Sequence, residues 1–201
     1  MGKVILVRHG ETDWNRNARF QGQTDVPLSE TGKMQAEKVG ERLADEHISA
    51  LYSSDLSRAY ETAQTIARSH NLEVRQDPAL REINFGLWEG MSRDIIVGEH
   101  KDLYQQWLEN PMETRTPDGE NFFEVQQRAL HSLRKIAESH QDETVVVVAH
   151  GGLIKAVICE YLDGGFWEFP QGNTAVNILE YHNDQFRFIS LNDLSHLEGE
   201  G

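Results

Sequence analysis

Val4-Ile5-Leu6-Val7-Arg8-His9-Gly10 and Val145-Val146-Val147-Val148-Ala149-His150-Gly151 repeat one device, a short apolar run that ends in His-Gly. Each run is rich in β-branched residues and predicts a buried strand, with a glycine behind the histidine where the chain turns. In open α/β sheets ligands bind outside the carboxyl ends of the strands. If these two strands are neighbours, His9 and His150 face each other across one crevice.

Outward from the first run lies a polar loop, Glu11 to Glu30, too long to be idle connection and therefore a candidate binding loop. Ala36, Val39 and Leu43 then mark a helix face, with Ser29 or Thr31 as cap, and Ala50-Leu51-Tyr52-Ser53 supplies a second strand. Leu56, Ala59, Ala63 and Ile66 keep helical spacing behind Ser54 or Asp55 as cap, and Leu72 to Arg75 reads as a third strand. Phe122, Val125, Ala129, Leu133 and Ile136 line a long helix leading into the second His-Gly strand. A helix over Leu153 to Leu162 follows, then a hairpin of Ala175 to Tyr181 and Gln185 to Leu191 joined at His182-Asn183-Asp184. Strands alternating with helices predict an α/β three-layer sandwich, a mostly parallel sheet with helices on both faces. Residues 1–201 read as a single domain. The irregular stretch at about 77–118, with short helical pieces around Asp94 and Leu103 and a turn at Pro117-Asp118-Gly119, reads as an insertion covering the strand ends.

Composition narrows the partner. Thirty-three acidic against nineteen basic side chains give a formal charge of −14, which repels nucleic acid and anionic membrane and favours a small molecule. One cysteine, Cys159, excludes an internal disulfide, and it lies in an apolar helix where a core role outweighs a nucleophilic one. With no signal peptide or spanning segment read from the sequence, the expected location is cytoplasmic. A homodimer is left open. A phosphate-binding Gly-x-x-x-x-Gly-Lys-Ser/Thr loop, a Gly-x-Gly-x-x-Gly turn and a His-Glu-x-x-His helix are all missing, which takes support from nucleotide hydrolysis, a Rossmann cofactor and a zincin centre.

What remains is cationic. Arg8 precedes His9, and Arg58 falls in the first turn of the helix after the second strand, on the same edge of the sheet. Arg8, Arg58, His9 and His150 then converge on one anion, with guanidinium forks suited to a phosphoryl group. Asn15 and the backbone amides near Gly10 and Gly151 add neutral donors. A neutral imidazole is a competent nucleophile, and neighbouring arginines keep it neutral. Each assignment has a plainer competitor: Arg58 pairing with Asp55 or Glu61 on the helix surface, and His9, Glu11 and His150 as metal ligands, a set that the adjacent Arg8 disfavours. Phe85, Trp88, Phe166 and Trp167 read as core or pocket wall. His47, His70, His100, His131, His140, His182 and His196 read as exposed or structural.

Leu6-Val7-Arg8-His9-Gly10-Glu11-Thr12-Asp13-Trp14-Asn15, Pro27-Leu28-Ser29-Glu30-Thr31-Gly32, Ser53-Ser54-Asp55-Leu56-Ser57-Arg58-Ala59, Leu80-Arg81-Glu82-Ile83-Asn84-Phe85-Gly86 and Ala149-His150-Gly151, in that order, resemble the histidine phosphatase (phosphoglycerate mutase-like) superfamily. The resemblance covers nearly the whole chain, and its pattern is nearest to broad-specificity and α-ribazole phosphatase-like members. It implies that His9 is phosphorylated in turnover, that Arg8, Arg58 and His150 hold the transferring phosphoryl group, and that Glu82 gives a proton to the leaving group. Asn15, Gln21, Thr24 and Gly151 match positions around the substrate. It also implies catalysis with no metal and no cofactor. The expected function is a phosphomonoesterase acting on small phosphorylated metabolites. The alternatives are a cofactor-dependent phosphoglycerate mutase, disfavoured because Arg93, Lys101 and Arg115 are scattered where mutases carry paired arginines, and a non-catalytic phospho-ligand-binding module.

Overall fold

The computed structural model describes residues 2–198. Its strands are β1 (Gly2–Arg8), β2 (Ala50–Ser53), β3 (Val74–Gln76), β4 (Thr144–Ala149), β5 (Val176–His182) and β6 (Gln185–Asp193), joined into one sheet in the order β3-β2-β4-β1-β5-β6. The helices are α1 (Asp13–Arg16), α2 (Glu30–Leu43), α3 (Ser57–Arg68), α4 (Arg93–Glu109), α5 (Phe122–Ser139) and α6 (Gly151–Tyr161). The four strands β3, β2, β4 and β1 run parallel, and β5 and β6 add an antiparallel edge.

Period-two alternation sorts the central strands between two cores. Val4, Leu6, Val145, Val147 and Ala149 face a layer built with Phe122, Val125, Ala129 and Leu133 of α5 and Leu153, Ile154 and Val157 of α6. Ile5, Val7, Val146 and Val148 face Val39 and Leu43 of α2 and Ala59, Ala63 and Ile66 of α3. Both faces of the sheet are thus covered, which explains why these strands read as unbroken apolar runs.

β1 and β4 lie side by side in register, Arg8 opposite Ala149, so the two His-Gly steps leave the sheet at one level. The stretch after β3 joins the α5 side of the core, where Leu80, Ile83, Trp88, Ile96, Tyr104 and Trp107 are buried. The two helical pieces expected around Asp94 and Leu103 lie end to end in α4, separated by a kink at His100, where φ of −135° and ψ of 37° leave helical geometry. One sequence expectation changes here. Neither Ser54 nor Asp55 caps α3: Leu56 holds the N-cap position, its amide bonded to Ser54 Oγ at 3.3 Å, and the first helical amide, Ser57 N, is taken at 2.8 Å by Asp25 from the Glu11–Glu30 loop. Asp55 is drawn away by Arg81, whose Nε donates to its Oδ1 at 2.7 Å.

Candidate active site

His9 continues β1, its amide donating to Ala149 O at 3.0 Å, and is buried. Its ring centroid is 5.1 Å from that of His150, with the planes 60° apart. His9 Nδ1 lies 2.6 Å from Gly10 O. A carbonyl can only accept, so Nδ1 carries the hydrogen and Nε2 keeps its lone pair. Burial above all, then Arg58 and Arg8, hold the His9 pKa well below the ordinary imidazole value, against a smaller upward pull from the Gly10 bond. His150 is held low in the same way, first by burial and then by Arg58.

Arg58 is fully buried, which removes the helix-surface pairing with Asp55 or Glu61. Its Nη2 donates to Gly22 O at 2.7 Å and its Nη1 to Thr24 O at 3.0 Å, so the binding loop wraps the guanidinium. Burial draws its pKa down to about 10, with Glu82, Asp25 and Glu89 pulling the other way, and it stays cationic at neutral pH. Arg8 Nη1 donates to Gln171 O at 2.5 Å. Arg8 Nε, Arg58 Nε and both ring nitrogens of His150 are buried with no hydrogen-bond partner. Buried polar atoms are rarely left unpaired, because each costs roughly 1–3 kcal/mol. Clustered beside the neutral face of His9, they form a site shaped for an anion.

Glu82 reaches the amino end of α6. Its Oε2 accepts from Gly152 N at 2.9 Å, and its Oε1 from Leu153 N and Ile83 N at 3.0 Å each. Glycine at 152 permits this approach, since a Cβ there would stand 2.6 Å from Glu82 Oε1 and 2.7 Å from Phe122 Cε1. Behind it, Arg128 donates from Nη2 to Glu82 O at 2.8 Å and from Nη1 to Arg81 O at 2.6 Å.

A pocket of about 240 Å³ gathers Arg8, His9, Asn15, Gln21, Glu82 and Phe85. Asn15 Oδ1 accepts from Thr12 N at 3.1 Å, which leaves its Nδ2 for a ligand. Gln21 accepts from Thr12 Oγ1, and its amide nitrogen has no partner among the described residues. Gly151 lines an adjoining pocket of about 210 Å³ that shares Arg8, Glu82 and Phe85. Thr24 lines neither; its amide and hydroxyl both donate to Glu89 Oε2, and its carbonyl serves Arg58. The amide of Gly10 is committed to Thr62 Oγ1 at 3.1 Å and is not the free donor the sequence suggested. A wider concavity of about 820 Å³ beside Tyr60, Gln64 and Arg68 is lined by none of the candidate residues, whereas Arg8 and His9 line the pocket of about 240 Å³; Arg58 and His150 are fully buried and line neither smaller pocket.

Sequence reasoning missed Glu89, Arg128 and Gln171, which hold this site from behind. Trp88-Glu89-Gly90 adjoins the quoted Glu82 block, but a carboxylate there has no local signal of its partners 65 residues away. Of the histidines read as exposed or structural, His47, His131 and His182 are exposed, and His196 bonds Thr174 Oγ1 at 3.0 Å.

Residues 4–194 match the histidine phosphatase superfamily (branch 1). The chain belongs to that superfamily. It is 35% identical over 200 residues to phosphoserine phosphatase 1 of Hydrogenobacter thermophilus, covering 98% of this chain and 95% of that one. It is 36% identical over 203 residues to phosphoglycerate mutase-like protein 4 of Arabidopsis thaliana, covering 99% and 88%. Among solved structures, Bacillus stearothermophilus YhfR superimposes with a TM-score of 0.93 at 35% identity, covering 98% of this chain and all of that one. Family and relatives together make this histidine phosphatase a phosphoric monoester hydrolase.

Proposed function

We propose that this histidine phosphatase hydrolyses small phosphomonoesters in two steps through a phosphohistidine at His9. In the first, His9 Nε2 attacks phosphorus, the bond from phosphorus to the alcohol oxygen breaks, and Glu82 in its acid form protonates that oxygen. In the second, water attacks phosphorus, Glu82 takes its proton, and the bond from phosphorus to Nε2 breaks to give inorganic phosphate. Arg8, Arg58, His150 and Asn15 surround the phosphoryl oxygens and offset the charge that builds on them. Gln21 and Gly151 border the substrate, and Thr24 acts through its grip on Arg58. No group of three or more His, Cys, Asp or Glu side chains among the described residues is arranged to hold a metal, and the guanidinium groups supply the positive charge instead.

The observation that carries this reading is the juxtaposition of His9, with Nδ1 tied to Gly10 O, and the unpaired buried donors of Arg8, Arg58 and His150. Hydrolysis is favoured over mutase chemistry because Arg93, Lys101 and Arg115 are all exposed and Arg115 is paired with Glu124. Relatives named phosphoserine phosphatase support phosphorylated metabolites as substrates, and no described helix is long and apolar enough to cross a membrane. The test is rapid-quench labelling during hydrolysis of p-nitrophenyl phosphate. Acid-labile phosphate on His9, absent from His9→Ala together with turnover, is the expected result; turnover with no phosphate on His9 overturns the mechanism.

A further inference from the structure

The second pocket differs from the first in its wall, which is largely aromatic, with Trp107, Phe166 and Trp167, and in a cation that the phosphoryl site does not contain, Lys155. Lys155 lies one turn beyond Gly151 on α6, so its stem rises from the helix end that holds the Glu82 carboxylate. Its Nζ stands 5.2 Å from the ring centroid of Trp167 and 5.7 Å from that of Phe166. It is half-buried and makes no ion pair or hydrogen bond with any described residue. By contrast, Arg128 is paired with Glu120 and Arg81 with Asp55. Lys155 is held in place by ring faces that attract an ammonium without neutralising it.

Resting on the phosphatase reading above, we propose that Lys155 is a specificity-determining residue that binds a carboxylate carried by the leaving alcohol, so that phosphorylated hydroxy acids are the preferred substrates. Arg8 and Glu82 belong to both pockets, so an ester whose phosphoryl group lies against His9 extends its alcohol part past Glu82 into the pocket of Lys155. A single ammonium balances a single carboxylate, and a pocket of about 210 Å³ admits an alcohol of a few carbons. Burial and then Arg8 hold the Lys155 pKa below the ordinary lysine value, a penalty on its charge that a bound carboxylate relieves.

The matched esters 3-phosphoglycerate and glycerol 3-phosphate differ by a carboxylate in place of a hydroxymethyl group, so the ratio of their kcat/KM values isolates the proposed contact. The wild-type protein is expected to favour 3-phosphoglycerate by about tenfold or more, the usual strength of one charge-assisted hydrogen bond. Lys155→Met should collapse that ratio, chiefly through KM, and Lys155→Arg should restore most of it. A residue that only packs against Trp167 would lower both substrates together, and an unchanged ratio overturns the proposal, as does a wild-type ratio near one. Should Lys155→Met fail to fold, the wild-type protein decides alone: glycerate should inhibit hydrolysis of p-nitrophenyl phosphate at concentrations far below those of glycerol, and equal inhibition overturns the proposal. The phosphatase reading is scored separately by p-nitrophenyl phosphate itself; wild-type protein that leaves it intact removes that reading and this inference with it.

Discussion

At the scale of single residues the proposed reaction divides the labour between a nitrogen freed for attack and a carboxylate pinned for proton transfer. His9 has one tautomer imposed by Gly10 O, and Glu82 has one orientation imposed by the amides of Gly152, Leu153 and Ile83. Substituting Glu82→Gln keeps the shape but puts an NH₂ in place of one of the two accepting oxygens, and it removes the transferable proton. General acid catalysis contributes typically about 10²–10⁴ in rate, and its loss matters most where the leaving group is a poor one. Glu82→Gln is therefore expected to lower kcat/KM for alkyl phosphates by about a hundredfold or more while reducing that for p-nitrophenyl phosphate far less. Steady-state kinetics on both ester classes check this; equal losses on both would assign Glu82 a shaping role only.

Among the elements, the loop from Glu11 to Glu30 and the segment around Glu89 work as one clamp on Arg58. Glu89 Oε1 accepts from Gln23 N at 2.8 Å and Phe85 N at 3.1 Å, its Oε2 accepts from Thr24 N at 2.8 Å, and the carbonyls of Gly22 and Thr24 on the same loop hold Arg58. Glu89→Ala leaves three half-buried amides without an acceptor, each a loss of up to roughly 1–3 kcal/mol. Because the loop also fixes a guanidinium, kcat/KM for p-nitrophenyl phosphate should fall by about tenfold to a hundredfold, and the amides of Gln23 and Thr24 should exchange faster with deuterium. A lower Tm with unchanged kcat/KM would separate the clamp from catalysis. This coupling marks the boundary of what the sequence discloses. The unbroken β-branched runs announce strands buried on both faces, and the His-Gly ends announce the crevice, because both are local patterns. The length of the Glu11–Glu30 loop singles out the segment whose carbonyls hold Arg58. Glu89 and Arg128, and the choice of Asp25 over Asp55 at the start of α3, are contacts between distant segments, decided by which charge lies nearer in the folded chain.

The whole molecule carries a formal charge of −14, yet its active crevice is cationic enough, and dry enough, to keep its imidazoles unprotonated. That contrast sets the pH behaviour. In the unfolded chain a histidine titrates near 6.5. In the fold His9 and His150 are held well below that, burial being the largest cause, and His196 is lowered to about 4 by burial and then by Arg42. When pH falls below 6.5 the unfolded chain therefore takes up protons that the folded one refuses, and the equilibrium shifts toward unfolding. These three groups contribute their full stability above pH 6.5 and lose it as pH falls toward the folded values. Urea melts are expected to show stability declining between pH 6.5 and 4.5 with a slope that His150→Asn, which cannot titrate, makes shallower. The same logic bears on the proposed nucleophile: two-dimensional NMR of the imidazole nitrogens at pH 5.5 should find His9 Nε2 unprotonated and Nδ1 protonated. A His9 ring that titrates at 6.5, like an exposed histidine, would mean that burial, Arg58 and Arg8 do not govern it, and the nucleophile proposed at the end of β1 would be lost.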